Sequence, residues 1–156
     1  MKLKYTLALI ATFLCISFNT AAQKAQHPCL ILTKEGSQQI KTKLGSIPLL
    51  DKTIVNARKQ VDQIVKQPLE VPVPKDAGGG YTHEQHKRNY THMYHAGVLY
   101  QLTGEVKYAN FVKDMLMEYA KMYPTLPLHP VQKSSYRGRL FWQGLNECVW
   151  LVNTSH

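Results

Sequence analysis

Apolar residues recur along this chain at spacings of three and four, and proline and glycine punctuate the runs. No stretch alternates apolar and polar residues in the manner of a half-buried strand, so the pattern predicts an all-α fold. Thr33 is placed to cap a helix that runs to Leu44 and stops at Gly45. Ser46 is placed to cap a longer helix with Pro48 in its first turn. Leu50, Ile54, Ala57, Val61 and Ile64 form the core-facing stripe of that helix, and Pro68 ends it. Thr82 and Gln85 have capping-box spacing, which predicts a third helix from His83 to Gly104. A fourth runs from Glu105 to about Tyr123 and carries two apolar rows. Val106, Ala109, Val112, Leu116 and Ala120 form one row; Tyr108, Phe111, Met115, Tyr119 and Met122 form the other. Lys107, Asn110, Asp114, Glu118 and Lys121 make its wet ridge. So wide an apolar arc predicts packing on two sides, as in stacked helical hairpins. A last helix is expected from near Arg139 to Val152, with Trp142, Leu145, Val149 and Val152 as its apolar stripe. Between these helices lie a loop over residues 68–81 and another marked by Pro124, Pro127 and Pro130.

The first 22 residues stand outside this pattern. Met1 to Lys4 is a short basic segment, Tyr5 to Phe18 is apolar, and Thr20-Ala21-Ala22 offers small residues for cleavage before Gln23. This is the layout of a signal peptide, and the apolar run is too short and wrongly flanked for a membrane span. Thr12-Phe13-Leu14 before Cys15 lacks the small residues of a lipoprotein signal. The expectation is therefore an exported protein, periplasmic or secreted, without a membrane anchor. Residues 23–156 make one domain at most. The net charge is +9, and removing Lys2 and Lys4 takes two from it. A basic exported protein suits an acidic polysaccharide or a membrane surface better than nucleic acid, although charge alone is equally explained by solubility. Cys29 and Cys148 are free to pair in an oxidising compartment; the preferred reading is that both are small buried hydrophobes.

The chemistry concentrates after the glycine run Gly78-Gly79-Gly80. Down one face of the third helix fall His83, Lys87, Tyr90 and Tyr94, which combine cationic, hydroxyl and aromatic surface suited to a negatively charged, hydroxyl-rich ligand. On the last helix Arg139, Gln143, Asn146 and Trp150 share a face. Arg grips a carboxylate with two donors, the amides bond hydroxyls or a neutral carboxyl, and an indole stacks on a sugar. The competing reading of this second face is a buried polar seam with Trp150 as core. If the binding reading holds, the two faces line one cavity. His83, His86, His92 and His95 invite a metal, but His83-Glu84-Gln85-His86 falls one residue short of the helical zinc-protease spacing and lacks an obvious third ligand, so no metal is expected. His129 reads as a loop or pocket residue.

Several segments resemble alginate lyases of polysaccharide lyase family 17: Ala77 to Tyr90, Tyr100 to Ala109, Leu128-His129-Pro130, Gly138 to Glu147, and the opening His27 to Thr33. The resemblance implies an α/α toroid, followed in full-length members by β domains. It implies β-elimination at uronate residues without a cofactor. In that chemistry an amide neutralises the sugar carboxylate, a His or Tyr removes the C5 proton, and a Tyr protonates the leaving oxygen. The family's adjacent Asn-His pair does not occur here. The chain is accordingly expected to be the N-terminal, truncated part of such a toroid, lacking the β domains and inactive alone, with its catalytic residues beyond residue 156. Gln143 matches a substrate-binding position; Asn146, Arg139, His83, Lys87, Tyr90 and Lys133 complete the expected binding set. Two alternatives stay open: a non-catalytic module binding acidic polysaccharide, and a fragment of a heparinoid or chondroitin lyase.

Overall fold

A computed structural model of the protein describes residues 31–76, 80–129 and 138–155. The signal segment, Cys29, Pro130 and Lys133 lie outside the described residues. The described chain is all-α: α1 (Lys34–Lys43), α2 (Pro48–Ile64), α3 (Tyr81–Thr103), α4 (Val106–Met122), a 3-10 turn (Tyr123–Thr125) and α5 (Gly144–Thr154).

Local chemistry sets most of these boundaries. The Thr33 hydroxyl accepts from the Gly36 amide at 3.0 Å and caps α1 as the sequence predicts. Gly45 turns the chain with φ 84°, a conformation that glycine adopts without steric cost. Its N–H donates to Asp51 in the first turn of α2 at 2.8 Å. Ser46 does not cap α2: its hydroxyl donates back to the Lys43 carbonyl, and Ile47 occupies the cap with Pro48 behind it. α2 closes at Ile64, ahead of Pro68, in a turn where the Gln67 amide bonds the Ile64 carbonyl. Gln67 precedes a proline and is thereby biased away from helix. Between α3 and α4, Gly104 takes φ 74° and returns its N–H to the Tyr100 carbonyl. The link is so short that α3 and α4 form a helical hairpin.

α3 is the centre of the assembly, and α1, α2, α4 and α5 all pack on it. Its two halves bury different things. The first turns bury Thr82, His83, His86 and Asn89; the later turns bury Met93, Ala96, Leu99 and Leu102. The apolar half meets Val61 of α2 and Tyr108, Phe111, Met115 and Tyr119 of α4, and Leu126, Leu140 and Phe141 close the core. Polar contacts fasten α2 to the α4 start. The Tyr108 hydroxyl donates to Asp62 at 2.9 Å, Lys107 bridges Asp62 and Glu105, and Arg58 meets Glu105 at 2.6 Å. The ion pairs are half-exposed and fix geometry more than they add stability.

Two further sequence expectations need correction here. Only one apolar row of α4 is buried. Ala109, Val112 and Leu116 of the other row line an open groove of about 400 Å³ with Met93, Tyr94 and Val98 of α3, while Val106 and Ala120 face solvent. Cys148 is exposed rather than a buried hydrophobe, because it sits on the outer side of α5 with Leu145 and Leu151.

Candidate functional site

The start of α3 is built differently from the expected capping box. Gly80, not Thr82, is the cap residue, and Thr82 lies inside the helix. The missing acceptor comes from the preceding loop: Asp76 takes both the Thr82 amide and its hydroxyl at 2.8 Å. These bonds, the backbone one first, hold the Asp76 carboxyl below the usual carboxylate range, and the negative charge suits a helix N-terminus. A Cβ on Gly80 would collide with the Asp76 side chain, so the glycine is needed for this approach. Gln85, instead of boxing the cap, donates to Asn89 at 3.0 Å and receives Arg88.

A hydrogen-bond chain follows one turn on, and it ends at a buried His86 Nε2 that has no partner among the described residues. Asn89 donates to the Glu70 carbonyl at 2.8 Å and to the Tyr119 hydroxyl at 3.0 Å. Tyr119 has one proton, and with Asn89 already donating to its oxygen that proton goes to His86 Nδ1, 2.9 Å away. His86 is therefore neutral with Nε2 protonated. Burial drives its pKa down to about 4, reinforced by nearby His83. The ring of Phe141 stands edge-on to both imidazoles, 5.1 Å from His83 and 5.6 Å from His86.

Phe141 belongs to a turn that the periodicity misassigned to helix. α5 begins at Gly144, so Arg139 and Gln143 precede it and do not share a helical face with Asn146. Glu147, in the first turn of α5, reaches back and accepts from the Leu140 and Phe141 amides. A carboxylate gathering two backbone donors fixes the turn more firmly than continuing the helix would. Gly138 lies against this carboxylate, and a Cβ there would come within 2.8 Å of the Gln143 nitrogen. Trp142 takes φ 56°, left-handed for a residue with a bulky side chain.

The turn brings Gln143, the cap residue of α5, next to Asn146. The Asn146 amide donates to Gln143 Oε1 at 2.6 Å and makes a longer 3.4 Å contact to His83 Nε2, joining segments 63 residues apart. An amide nitrogen has only protons to offer, so His83 accepts at Nε2 and carries its proton on Nδ1. Nδ1 is buried with no partner among the described residues. Burial, and next the Lys87 ammonium, lower the His83 pKa, leaving the ring neutral. The bond to Asn146 uses Gln143 Oε1 as acceptor, which leaves the Gln143 amide protons and the Asn146 carbonyl oxygen outside this pair's own bond.

The remaining expected site residues are dispersed. Lys87 is paired with Glu84 at 3.0 Å, one turn from His83. Tyr90 packs against the core, and Tyr94 lines the apolar groove. Arg139 donates to the Leu126 carbonyl at 2.9 Å and thereby anchors the turn. Trp150 lies on the core with its ring 4.9 Å from Tyr119. His129 meets the Trp142 ring edge-to-face at 4.6 Å. Sequence reasoning missed Asp76, Phe141 and Glu147 as organisers. The only signal for Glu147 was an acidic residue placed to enter the first turn of a helix. Among the described residues no group of His, Cys, Asp and Glu has the arrangement of a metal site, and no helix is long and apolar enough to cross a membrane.

The fold and site define an all-α assembly around one central helix, with a neutral imidazole and two amides gathered where α3 and α5 meet. No protein-family profile matches the chain. It is 50% identical over 126 residues to the exo-oligoalginate lyase of Saccharophagus degradans, a match that takes in 81% of this chain and 17% of that protein. It is 43% identical over 133 residues to the alginate lyase of Stenotrophomonas maltophilia, covering 85% of this chain and 18% of the relative. The chain thus spans under a fifth of the length of these relatives and is their homologue over that shared stretch.

Proposed function

We propose that this chain is the N-terminal helical portion of an exported polysaccharide lyase that cleaves alginate or oligoalginate by β-elimination at uronate residues, within the α/α toroid of polysaccharide lyase family 17. The observation that carries the reading is identity of 43–50% to two alginate lyases over more than four fifths of the chain. The chemistry of the cluster supports it. Gln143 has amide protons for a carboxylate or hydroxyl and Asn146 a carbonyl for a hydroxyl, beside neutral His83, with Lys87 one turn on in its ion pair with Glu84. In β-elimination such groups orient the uronate and draw charge from its carboxylate, which acidifies the C5 proton. Removal of that proton and protonation of the leaving oxygen are assigned to residues outside this sequence, since it contains no adjacent Asn-His pair. Arg139 belongs to the same proposed binding region through its hold on the turn.

The test is calorimetric titration of the exported chain with a purified oligoalginate, with a heparin oligosaccharide of matched length as control. Alginate binding that falls in Gln143→Ala without a lower melting temperature is the expected result. Preference for the heparin oligosaccharide would transfer the reading to heparinoid lyases, and no uronate binding at all would refute it. The mass of the same exported product should place its amino terminus at Gln23; an intact Met1 would contradict export.

A further inference from the structure

Trp142 is the only residue other than glycine with a positive φ among the described residues. Helical periodicity would make it a core residue, yet it is not part of the apolar core of the described residues. Leu140 and Phe141 just before it are 2% and 1% exposed and carry the apolar load of the turn, whereas Trp142 is half-buried. Among the described residues its ring meets His129, edge-to-face at 4.6 Å and 78°. Trp150 shows the opposite arrangement: it lies on the core against Tyr119, in relaxed helix. A large aromatic held in a left-handed backbone, outside the apolar core of the described residues, marks a position where the side chain serves something other than that core.

Its neighbours say what that is. Phe141 on one side packs on His83. Gln143 on the other is bonded to Asn146, which contacts His83. Trp142 is therefore one residue from each arm of the amide–imidazole cluster. The Glu147 carboxylate, holding the Leu140 and Phe141 amides, fixes the bend that sets Trp142 there. An indole presents a broad, rigid apolar face with few rotatable bonds, and the C–H face of a pyranose ring is its natural complement once the ring's hydroxyls and carboxylate are satisfied beside it. His129, edge-to-face with the indole, limits its rotation.

We propose that Trp142 is the stacking platform of the uronate site: it takes the apolar face of one pyranose ring while the Gln143–Asn146 pair reads that ring's polar groups. The proposal rests on the uronate-binding reading above and adds a residue that periodicity would assign to the core.

The chain has two tryptophans, so emission can be apportioned between Trp142 and the core residue Trp150. An alginate tetrasaccharide is titrated into the exported chain, following emission and heat in parallel. Three proteins are compared: wild type, Trp142→Gly and Gln143→Ala. Glycine adopts φ 56° without strain, so Trp142→Gly should keep its helical signal and melt cooperatively within a few degrees of wild type. It should lose the emission response and bind about tenfold more weakly or worse, roughly 1.4 kcal/mol. Gln143→Ala should bind more weakly and retain an emission response at saturation. If Trp142→Gly binds as tightly as wild type while Gln143→Ala is weakened, the stacking role is refuted and the uronate-binding reading stands. If Trp142→Gly fails to fold, the side chain serves the core and the proposal is likewise refuted. If wild type does not bind, both fall.

Discussion

Replacing His86 by Asn removes a titrating ring from the buried α3–α4 interface while leaving an acceptor near the position of Nδ1. In the folded protein His86 is 0% exposed, neutral, and bonded through Nδ1 to the Tyr119 hydroxyl. Burial lowers its pKa from 6.5 to about 4. Because the folded pKa lies below the unfolded one, the unfolded chain binds the proton more readily. The stability that neutral His86 secures is complete above pH 6.5 and is lost as pH falls toward 4. Linkage between those two values predicts a loss of about 2.5 kcal/mol from this ring between roughly pH 7 and pH 4.5. His83, His92 and His95 are also shifted downward, with burial the first cause in each, so the wild-type profile should fall more steeply than one ring requires. The difference between wild type and His86→Asn isolates the one ring. Urea unfolding is measured at half-unit steps across that range, and each protein is referred to its own value at neutral pH. His86→Asn should retain about 2.5 kcal/mol more of its neutral stability at the acid end. Parallel profiles would show that His86 does not titrate on unfolding and would refute the buried neutral assignment.

Tyr119→Phe removes the hydroxyl that serves both His86 and Asn89, leaving the His86 acceptor buried without its donor. It should cost about 1–3 kcal/mol in urea unfolding at neutral pH, and a loss below about 0.5 kcal/mol would mean that the Tyr119 hydroxyl does not serve both residues as described. Gly138→Ala forces a methyl toward the Gln143 nitrogen and the Glu147 carboxylate. It should lower stability by about 1–3 kcal/mol, a shift of several degrees in thermal melting, and an unchanged melting temperature would contradict the close approach.

The helices with simple apolar stripes were legible in the sequence because one force decides them. Val61 and the Tyr108–Phe111–Met115–Tyr119 row face the core where spacing puts them, and Thr33 and Gly104 end their helices by local chemistry. The third helix was legible in extent but not in its start. Thr82 has the composition of a cap, yet Asp76, six residues upstream, supplies the acceptor instead. Sequence spacing does not register an acceptor that arrives from a loop. Ser46 was misread for a related reason, since its hydroxyl found the Lys43 carbonyl first. Of the expected site, His83 and Asn146 do meet, but the two helical faces expected to line one cavity do not form: Arg139 and Gln143 precede the last helix, which starts five residues later than expected, Tyr94 lines the apolar groove and Trp150 lies on the core.

That late start ties the strain to the chemistry. Residues 139–143 have helical spacing, and a helix through them would bury Trp142 and turn Gln143 with the face of Asn146. Instead the Glu147 carboxylate captures the Leu140 and Phe141 amides, Arg139 ties back to the Leu126 carbonyl, and Trp142 is held left-handed. Each of these costs local helix, and together they bring Gln143 within 2.6 Å of Asn146 and set Phe141 under two neutral imidazoles. The same division runs along α3. Its later turns bury Met93, Ala96, Leu99 and Leu102, which hold the assembly together through apolar area. Its first turns bury Thr82, His83, His86 and Asn89, groups that must find hydrogen bonds to be tolerated there. A core built only for stability would not choose that half. Local rules fail in the turn and strain in the first half of α3, and the two regions meet at His83.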